Sequence, residues 1–260
     1  MKLFKRLDTK PPAKLNIAVV VSTWTGNPSE YLQRLIDSIN KYDAGTNYDL
    51  YLCANGEDYT ISETLQCYFK CIYIRENLGY NLGAWDYTWR RLPQYTHFLF
   101  LQDDCIIHRK NWLSRFVRCF MNNPNVGLVG EYFSRGWDYS WEDLTTRSSG
   151  KKTFSEKKRK KAVGYNEVLT QWGIDPGDRA SHLTSVVHYT SRKILEEVDG
   201  YNLGQTYKEA VAAEIGFSRK LIAKGYKLVQ VGRSRHSVIA HPQWPSGSLI
   251  KRWCRVLKMR

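Results

Sequence analysis

The chain has 260 residues, of which 42% are hydrophobic and 13% aromatic. This is enough for one large α/β domain or two small ones, and too apolar for a disordered chain. No apolar run reaches the roughly 18 residues that a membrane-spanning helix needs, and no apolar signal core follows basic residues 1–14. We therefore expect a cytoplasmic protein.

The net charge of +14 is concentrated in three segments. The net charge is +4 in residues 1–14, +6 in 151–161 and +5 in 246–260, so the rest of the chain is close to neutral. Such appended charge suits an anionic surface, either lipid or nucleic acid, although it is also typical of solvated surface. In 246–260 the apolar residues share one helical side, as in interfacial membrane helices. We expect peripheral association of this C-terminal tail with the inner face of a membrane.

Strand and helix signals alternate through the first 130 residues. The apolar segments predicted as strands are 15–22, 48–54, 71–75, 97–101 and 126–129. A helix is predicted to follow the first strand, with Asn27 as its cap and Pro28 in its first turn. Such alternation favours a mostly parallel sheet flanked by helices, an α/β fold.

The second half begins with residues 131–161, which we expect to be a long irregular connection. Strands are then predicted near 184–188 and over 226–231, and helices over 191–198 and 208–224. Six aromatic residues, which either stack on sugar faces or simply pack, are Tyr132, Phe133, Trp137, Tyr139, Trp141 and Trp172.

The six cysteines do not form a metal-binding pattern. Cys67 and Cys71 are four residues apart, and no second Cys/His pair completes a zinc site. Cys53, Cys105 and Cys119 lie in apolar segments, where a free thiol behaves as a small hydrophobic group. We expect reduced cysteines.

Two adjacent carboxylates, Asp103 and Asp104, follow the apolar strand 97–101. In open α/β sheets, ligands bind beyond the carboxyl ends of the strands. Neighbouring carboxylates repel each other, and a divalent metal on a diphosphate would relieve this repulsion through hard oxygen ligands. The alternative is a strand end with solvated aspartates.

Four segments in order resemble the inverting family 2 glycosyltransferases, which have the glycosyltransferase-A fold. They are Ala18–Trp24, Cys53–Gly56, Glu76–Asp86 and Leu101–Asp104. The third segment also resembles rhamnan-synthesis F-type glycosyltransferases, which often have Asp where Asn81 stands. The resemblance covers roughly residues 15–241, apart from the middle loop.

The resemblance implies a site for a nucleotide-sugar donor with Mn²⁺ or Mg²⁺. Asp104 takes the position of the metal-binding aspartate, and His241 a position that often reaches the metal or diphosphate, with His236 as its competitor. Gln102 departs from the family pattern, which has Asp or Asn there. The residues implied in nucleotide binding are Thr23, Trp24, Asn55, Asn77, Gly79, Asn81 and Asp103.

Glu214 takes the position of the family's catalytic base. Helical spacing independently places Glu214 within an apolar stripe, while Glu209 points nearly the opposite way. A carboxylate directed into the protein requires a partner or a function. A buried Lys or Arg partner is the structural alternative.

The sequence thus predicts one glycosyltransferase-A domain over 1–245, with a nucleotide-sugar-binding half (13–130), an acceptor-binding half (131–245) and the tail 246–260. The expected reaction moves a sugar with inversion from a UDP- or dTDP-sugar to a glycan or lipid-linked acceptor, in bacterial surface polysaccharide synthesis. Three alternatives are an inactive glycan- or nucleotide-binding relative, a nucleotidyltransferase and a basic nucleic-acid-binding protein. The near-neutral core argues against nucleic acid, and the segment 23–27 is a poor glycine-rich phosphate loop.

Overall fold

The computed structural model describes residues 15–146 and 154–242, so the tail 246–260 and residues 1–14 lie outside the described ranges. The strands are β1 (Ile17–Trp24), β2 (Asp49–Asn55), β3 (Cys71–Arg75), β4 (His97–Gln102), β5 (Ile106–Ile107), β6 (Val126–Gly130), β7 (Val187–Ser191), β8 (Lys227–Gln230) and β9 (Ile239–Ala240). The helices are α1 (Ser29–Lys41), α2 (Glu63–Gln66), α3 (Tyr80–Arg91), α4 (Trp112–Met121), α5 (Trp141–Thr145), α6 (Glu156–Gln171), α7 (Arg192–Glu197) and α8 (Tyr207–Ala223).

A seven-stranded sheet forms the centre, in the order β3-β2-β1-β4-β7-β6-β8. Strands β1 to β4 are parallel to one another, and β6 is parallel to β8. Strand β7 runs antiparallel to both β4 and β6. The mostly parallel sheet predicted from the sequence is therefore confirmed, and β7 is the strand that departs from it.

Helices cover both faces of the sheet. Val19 and Val21 of β1 pack with α1 and α4, whereas Ala18 and Val20 pack with α3, α7 and α8. Successive strand residues point to opposite faces, and both faces of β1 are buried. This explains why β1 is a continuous apolar run and not an alternating one.

A second, two-stranded sheet pairs β5 with β9. Ile106 lies opposite Ala240, and Ile107 opposite Ile239. Because β5 follows directly after β4, this antiparallel pairing returns the chain near residue 240 to the end of β4.

The expected irregular connection over 131–161 is partly wrong. Ser140 caps α5 by accepting a hydrogen bond from the Asp143 amide, and Ser155 caps α6 by accepting one from the Lys158 amide. The lysine-rich segment 156–161 is therefore the first part of a 16-residue helix. Its buried side packs against α5 and α8 in a third apolar cluster, so tertiary packing stabilises a helix whose sequence reads as a charged loop.

Several element ends also differ from the expected ones. Strand β1 ends at Trp24, and β7 spans Val187–Ser191 and not 184–188. Asn27 does not cap α1; its side-chain amide donates to Asp103 instead, 3.0 and 2.9 Å from the two carboxylate oxygens. The Asn27 side chain, which the local sequence predicts to cap α1, thus bonds to Asp103 instead.

The cysteines in the described ranges are all free thiols, which agrees with the expected reduced state. Every helix within those ranges is too short or too polar to cross a lipid bilayer.

Helix α3 begins in a tight space, which generates a stability prediction. A Cβ atom on Gly83 would lie 1.9 Å from the carbonyl oxygen of Leu78, whereas one on Gly136 would meet nothing within 4 Å. Overpacking of this kind costs about 1 to 3 kcal/mol. We expect Gly83→Ala to lower the free energy of unfolding by about 2 to 3 kcal/mol in urea titrations. Gly136→Ala is the matched control and should leave it almost unchanged; equal stability of the two variants would contradict this account.

Candidate functional site

The candidate site lies where the order of the strands reverses. Strand β1 pairs with β2 on one side and with β4 on the other, so the connections leave the sheet in opposite directions. Such a switch point opens a crevice at the carboxyl ends of the strands. Thr23 and Trp24 end β1, Asn55 ends β2 and Gln102 ends β4, so all four belong to this edge.

A cavity of about 260 Å³ opens at this edge. The residues that line it are Ser22, Thr23, Trp24, Asn27, Asn55, Asn77, Tyr80, Asn81, Gln102 and Asp103. Two aromatic side chains are exposed here, Trp24 at 46% and Tyr80 at 38%. The cavity therefore combines flat apolar surfaces with convergent amide and carboxyl groups, as small-molecule sites do.

Arg75 and the backbone carbonyl of Tyr80 fix the orientation of the Asn55 side-chain amide. Arg75 donates from Nη1 to Asn55 Oδ1 over 2.6 Å, and from Nη2 to the carbonyl of Leu78 over 2.8 Å. Asn55 in turn donates from Nδ2 to the carbonyl of Tyr80 over 2.9 Å. The orientation of Asn55 is thus set before any ligand binds. Burial lowers the pKa of Arg75 from its ordinary value, although the group stays a cation.

The start of α3 has unusual backbone geometry. Gly79 has φ of 79° and Tyr80 has φ of 53°. Glycine adopts such angles readily, but a bulky residue there costs on the order of 1–3 kcal/mol and is found mainly at functional sites. The strain keeps the Tyr80 ring at the cavity. Gly79, predicted to contact the nucleotide, shapes this turn, and its own Cβ position faces Leu203 at 3.1 Å.

Asp103 is tied into the protein. Its carboxylate accepts a 2.6 Å hydrogen bond from the Thr23 hydroxyl and two from Asn27, and its amide donates to the carbonyl of Ser22. Burial raises the pKa of Asp103, and the bonds from Thr23 and Asn27 oppose that rise. Asp103 therefore connects the end of β4 to the loop after β1.

Asp104 faces His241. The imidazole Nε2 lies 2.8 Å from Asp104 Oδ1 and 3.4 Å from Gln102 Oε1. Both side chains are buried, His241 at 2% exposure. Asp104 Oδ1 accepts no other hydrogen bond from the residues described, so His241 is its close polar neighbour. A buried carboxylate of this kind is stabilised by a positive charge beside it.

Asp104 and His241 could supply two neighbouring ligands to a divalent metal ion. Two neighbouring ligands of one octahedral ion, each at about 2.1 Å, lie about 3 Å apart, close to the 2.8 Å observed. Carboxylate and imidazole together suit Mn²⁺, and Mg²⁺ commonly takes one or two carboxylates plus substrate phosphates. Within the described ranges, no cluster of three or more His, Cys, Asp or Glu side chains could hold an ion alone. The remaining ligands would have to come from substrate and water.

Glu131 holds the segment that brings His241 to Asp104. Its buried carboxylate accepts hydrogen bonds from the amides of Ser237, Val238 and Ile239 over 2.7, 3.0 and 2.6 Å. The last of these begins β9, whose pairing with β5 places His241 beside the end of β4. His236 instead lies under the ring of Tyr132, 5.8 Å between centroids.

Glu214 approaches the same edge from α8. Its Oε2 accepts hydrogen bonds from the Ser185 amide over 2.5 Å and the Ser185 hydroxyl over 2.6 Å. Its Oε1 lies 3.0 Å from Nε2 of His182. Burial acts to raise the pKa of Glu214, but the bonds from His182 and Ser185 outweigh it and leave the pKa below its ordinary value. The side chain of Glu214 keeps 18% exposure.

Both ring nitrogens of His182 have polar neighbours. Nδ1 lies 2.7 Å from the carbonyl of Ala180, which can only accept, so Nδ1 donates to it. Nε2 lies 3.0 Å from Glu214 Oε1. The ring is therefore held between Ala180 and the carboxylate of Glu214.

Ser185 joins the two ends of the site. Its carbonyl accepts hydrogen bonds from Asn81 over 2.7 Å and from Gln102 over 2.8 Å, while its amide and hydroxyl hold Glu214. Gln102 also lies beside His241. One polar network thus runs from Glu214 to the pair of Asp104 and His241.

The structure brings most of the predicted residues to one edge. Thr23, Trp24, Asn55, Asn77, Asn81 and Asp103 line the cavity, and Asp104, His241 and Glu214 are connected to it through Gln102 and Ser185. Glu209 is elsewhere: it forms a capping box with Thr206 at the start of α8. Five residues of this edge and its supports were not predicted from the sequence: Ser185, His182, Tyr80, Arg75 and Glu131. Of these, Glu131 had the clearest sequence signal, because it is an acid directly after the apolar strand β6.

The aromatic residues of 132–141 are mainly packed. Trp141 is buried in the cluster between α5, α6 and α8, and Trp137 lies 5.2 Å from the ring of Tyr165. Trp137, Tyr139 and Phe154 surround the ammonium group of Lys158, at 5.1, 5.5 and 4.2 Å from the ring centroids. Packing therefore accounts for this cluster, and stacking on sugars stays a prediction.

Comparison with known proteins gives structural likeness only. No protein-family model matches the chain, and no curated protein matches it significantly. A mannosyltransferase from Pyrobaculum calidifontis, solved with GDP-Man and Mn²⁺, superposes with a TM-score of 0.50 at 13% identity, over 87% of this chain and 58% of that one. S. aureus TarS 1–349, solved with UDP-GlcNAc, gives a TM-score of 0.49 at 12% identity, over 85% and 57%. This chain spans less than two thirds of either structure. The Pyrobaculum likeness shows that the chain has an α/β fold found in glycosyltransferases.

The buried position of Glu131 predicts a pH dependence of stability. Burial raises the pKa of Glu131 from 4.5 to about 7 in the folded protein, against the opposing hydrogen bonds from residues 237–239. The folded state therefore favours the protonated acid. The contribution of Glu131 to the free energy of unfolding is fully present below about pH 4.5 and is lost as the pH rises through about 7. Relative to Glu131→Gln, the wild-type free energy of unfolding should fall by up to about 3 kcal/mol between pH 5 and pH 8.

Urea titrations across this pH range would test it. Glu167→Gln changes an exposed glutamate on α6 and is the matched control, for which the difference from wild type should stay flat. A flat difference for Glu131→Gln as well would contradict the raised pKa.

Proposed function

We propose that this chain is a glycosyltransferase that moves a sugar from a nucleotide-sugar donor to an acceptor hydroxyl, with inversion at the anomeric carbon. The observation that carries the proposal is the network joining Glu214, through Ser185 and Gln102, to the pair of Asp104 and His241. A carboxylate base and a diphosphate-binding pair at one strand edge are the two elements that such a reaction needs.

The donor nucleotide would bind in the cavity between β1 and α3. Trp24 and Tyr80 offer exposed rings for a base, and Asn55, Asn77 and Asn81 offer amide groups for the base and ribose. We propose a UDP- or dTDP-sugar as the donor, as the family resemblance implies. The fixed Asn55 amide supports a defined base orientation because it needs no rearrangement on binding.

Asp104 and His241 would hold a divalent cation, Mn²⁺ or Mg²⁺. A bound ion would offset the charge of the donor diphosphate and so favour its departure. Gln102, which replaces a family carboxylate, would position His241 and Ser185 and would not add charge to the site. Asp103, saturated by Thr23 and Asn27, would shape the donor cavity.

Glu214 would act as the base. Its lowered pKa keeps it ionised at neutral pH, and Ser185 occupies Oε2, so Oε1 retains a lone pair for the acceptor hydroxyl. The ring of His182, 3.0 Å away, would hold Oε1 in place. After transfer, the hydroxyl proton would rest on Glu214.

The proposed acceptor is a glycan or a lipid-linked sugar, and the proposed process is bacterial surface polysaccharide synthesis. The basic, amphipathic sequence of 246–260 supports association with the inner face of a membrane.

The metal role predicts the behaviour of Asp104→Ala. Loss of one of two protein ligands should weaken Mn²⁺-dependent binding of UDP by at least about 100-fold, because even indirect partners of a metal site contribute about 10- to 100-fold. Isothermal titration calorimetry with Mn²⁺, and again with excess chelator, would measure this. Asp37→Ala, on the exposed side of α1, is the control and should bind as wild type does. Full donor turnover in excess chelator would remove the metal from the proposal.

The base role predicts the behaviour of Glu214→Gln. Release of nucleoside diphosphate from a panel of nucleotide sugars with acceptor should fall by about 10²- to 10⁴-fold, the usual contribution of a general base. UDP affinity should change little. Glu209→Gln is the control on the same helix, because glutamine can also complete the capping box. Loss of turnover in Glu209→Gln with an active Glu214→Gln would reverse the assignment.

A further inference from the structure

A second cavity, of about 550 Å³, lies between the first three turns of α6 and the start of α8. The residues that line it are Glu156, Lys157, Lys160, Lys161, Tyr165, Tyr207 and Lys208. The two helices share an apolar cluster, and the start of α8 lies beside Gly164 of α6. No residue of the donor cavity lines this second cavity.

The pocket has a net positive charge, since four lysines and one glutamate line it. Lys160 forms a 2.7 Å salt bridge with Glu156. Across the residues described, Lys157, Lys161 and Lys208 have no carboxylate within salt-bridge distance. Their charges line one open space, where they would attract an anionic ligand.

These lysines lie at the wrong ends of their helices for helix stability. Lys157 and Lys208 are the second residues of α6 and α8. The amino end of a helix carries partial positive charge, so cations there are unfavourable and anions favourable. Ser155 and Thr206 cap the two helices, and a lysine ammonium, which only donates, cannot satisfy the free backbone N–H groups there. The electrostatic cost has a physical reason if a negative group binds between the helices.

Aromatic side chains shape this pocket. Tyr207 is 67% exposed and Tyr165 is buried. Burial, then Tyr207, then the charge of Glu214 raise the pKa of Tyr165 to about 12. The stem of Lys208 passes over Gly164, whose Cβ position lies 3.1 Å from Lys208 Cδ. The pocket therefore includes the start of α8, the helix that also carries the proposed base Glu214.

We infer that this pocket binds a phosphate group of the acceptor, with Lys157, Lys161 and Lys208 as its cationic ligands and Tyr207 as an apolar wall. Its role as an acceptor site rests on the proposed function; its binding of phosphate does not. Lysine ammonium groups bind phosphate oxygens through charge-assisted hydrogen bonds. The volume is within the range of small-molecule sites and admits a sugar phosphate.

Inorganic pyrophosphate in excess EDTA is the direct probe, because chelation removes any metal-dependent binding at Asp104. Calorimetry on the full chain would give its affinity. We expect the double variant Lys161→Gln/Lys208→Gln to weaken binding by about tenfold, as loss of two partly exposed charge contacts implies. Lys110→Gln/Lys227→Gln changes two exposed lysines elsewhere and should bind as wild type does.

Protection from acetylation, mapped by mass spectrometry on the wild-type chain, gives a second readout that needs no variant. Pyrophosphate should slow acetylation of Lys161 and Lys208 and leave Lys110 and Lys227 unaffected. Absence of protection together with equal affinity in both double variants would overturn the inference. Protection in a chain that binds no UDP with Mn²⁺ would support the phosphate site and contradict the proposed function.

The phosphate could belong to a lipid or to a soluble acceptor, and binding to vesicles distinguishes the two. Sedimentation with phosphatidylcholine vesicles, with and without phosphatidic acid, would be compared between wild type and Lys161→Gln/Lys208→Gln. Weaker sedimentation of the variant on phosphatidic acid alone would assign the pocket to a lipid-borne phosphate. Equal sedimentation with reduced pyrophosphate binding would assign it to a soluble phosphorylated acceptor.

Discussion

Strand β7 enters the sheet antiparallel to β4, and the candidate site depends on that direction. Because β7 runs opposite to β4, the residues that precede it lie at the edge where β4 ends. Ser185 therefore meets Gln102 across the strands, and its amide and hydroxyl face Glu214 on α8. A parallel β7 would begin at the other edge of the sheet, and Glu214 would lose the two Ser185 donors that, together with His182, lower its pKa.

The buried acids of this edge show how partners divide their roles. Asp103 has three hydrogen bonds from neighbouring side chains, and Glu131 has three from backbone amides. Both are satisfied within the protein. Asp104, adjacent to Asp103 in sequence, has instead, among the residues described, a single close polar neighbour at Oδ1, the Nε2 atom of His241 at 2.8 Å. Because the two side chains could also bind one cation together, Asp104 differs from the two acids that the protein satisfies by itself.

The strands were predictable because burial on both faces requires continuous apolar runs. Residues at the predicted strand ends, such as Thr23 and Asn55, could then be assigned to the edge where ligands bind. Helix α3 was not predicted: its start depends on positive φ angles at Gly79 and Tyr80, which follow from tertiary packing. Helix α6 was missed because its lysines resemble a solvated loop and its buried side is seen only against α8. Ser185 belongs to no motif, and its place follows from the direction of β7.

Helix α8 relates the two proposed ligand sites. Glu214 and Lys208 are six residues apart, which is about 9 Å along the axis and about 240° around it. One side of the helix therefore faces Ser185 and the donor edge, and another faces α6 and the basic pocket. The capping box at Thr206 and Glu209 fixes where this helix begins. An acceptor whose phosphate rests at Lys208 would accordingly be held at a set distance from the base, so helix geometry itself would select which hydroxyl reaches Glu214.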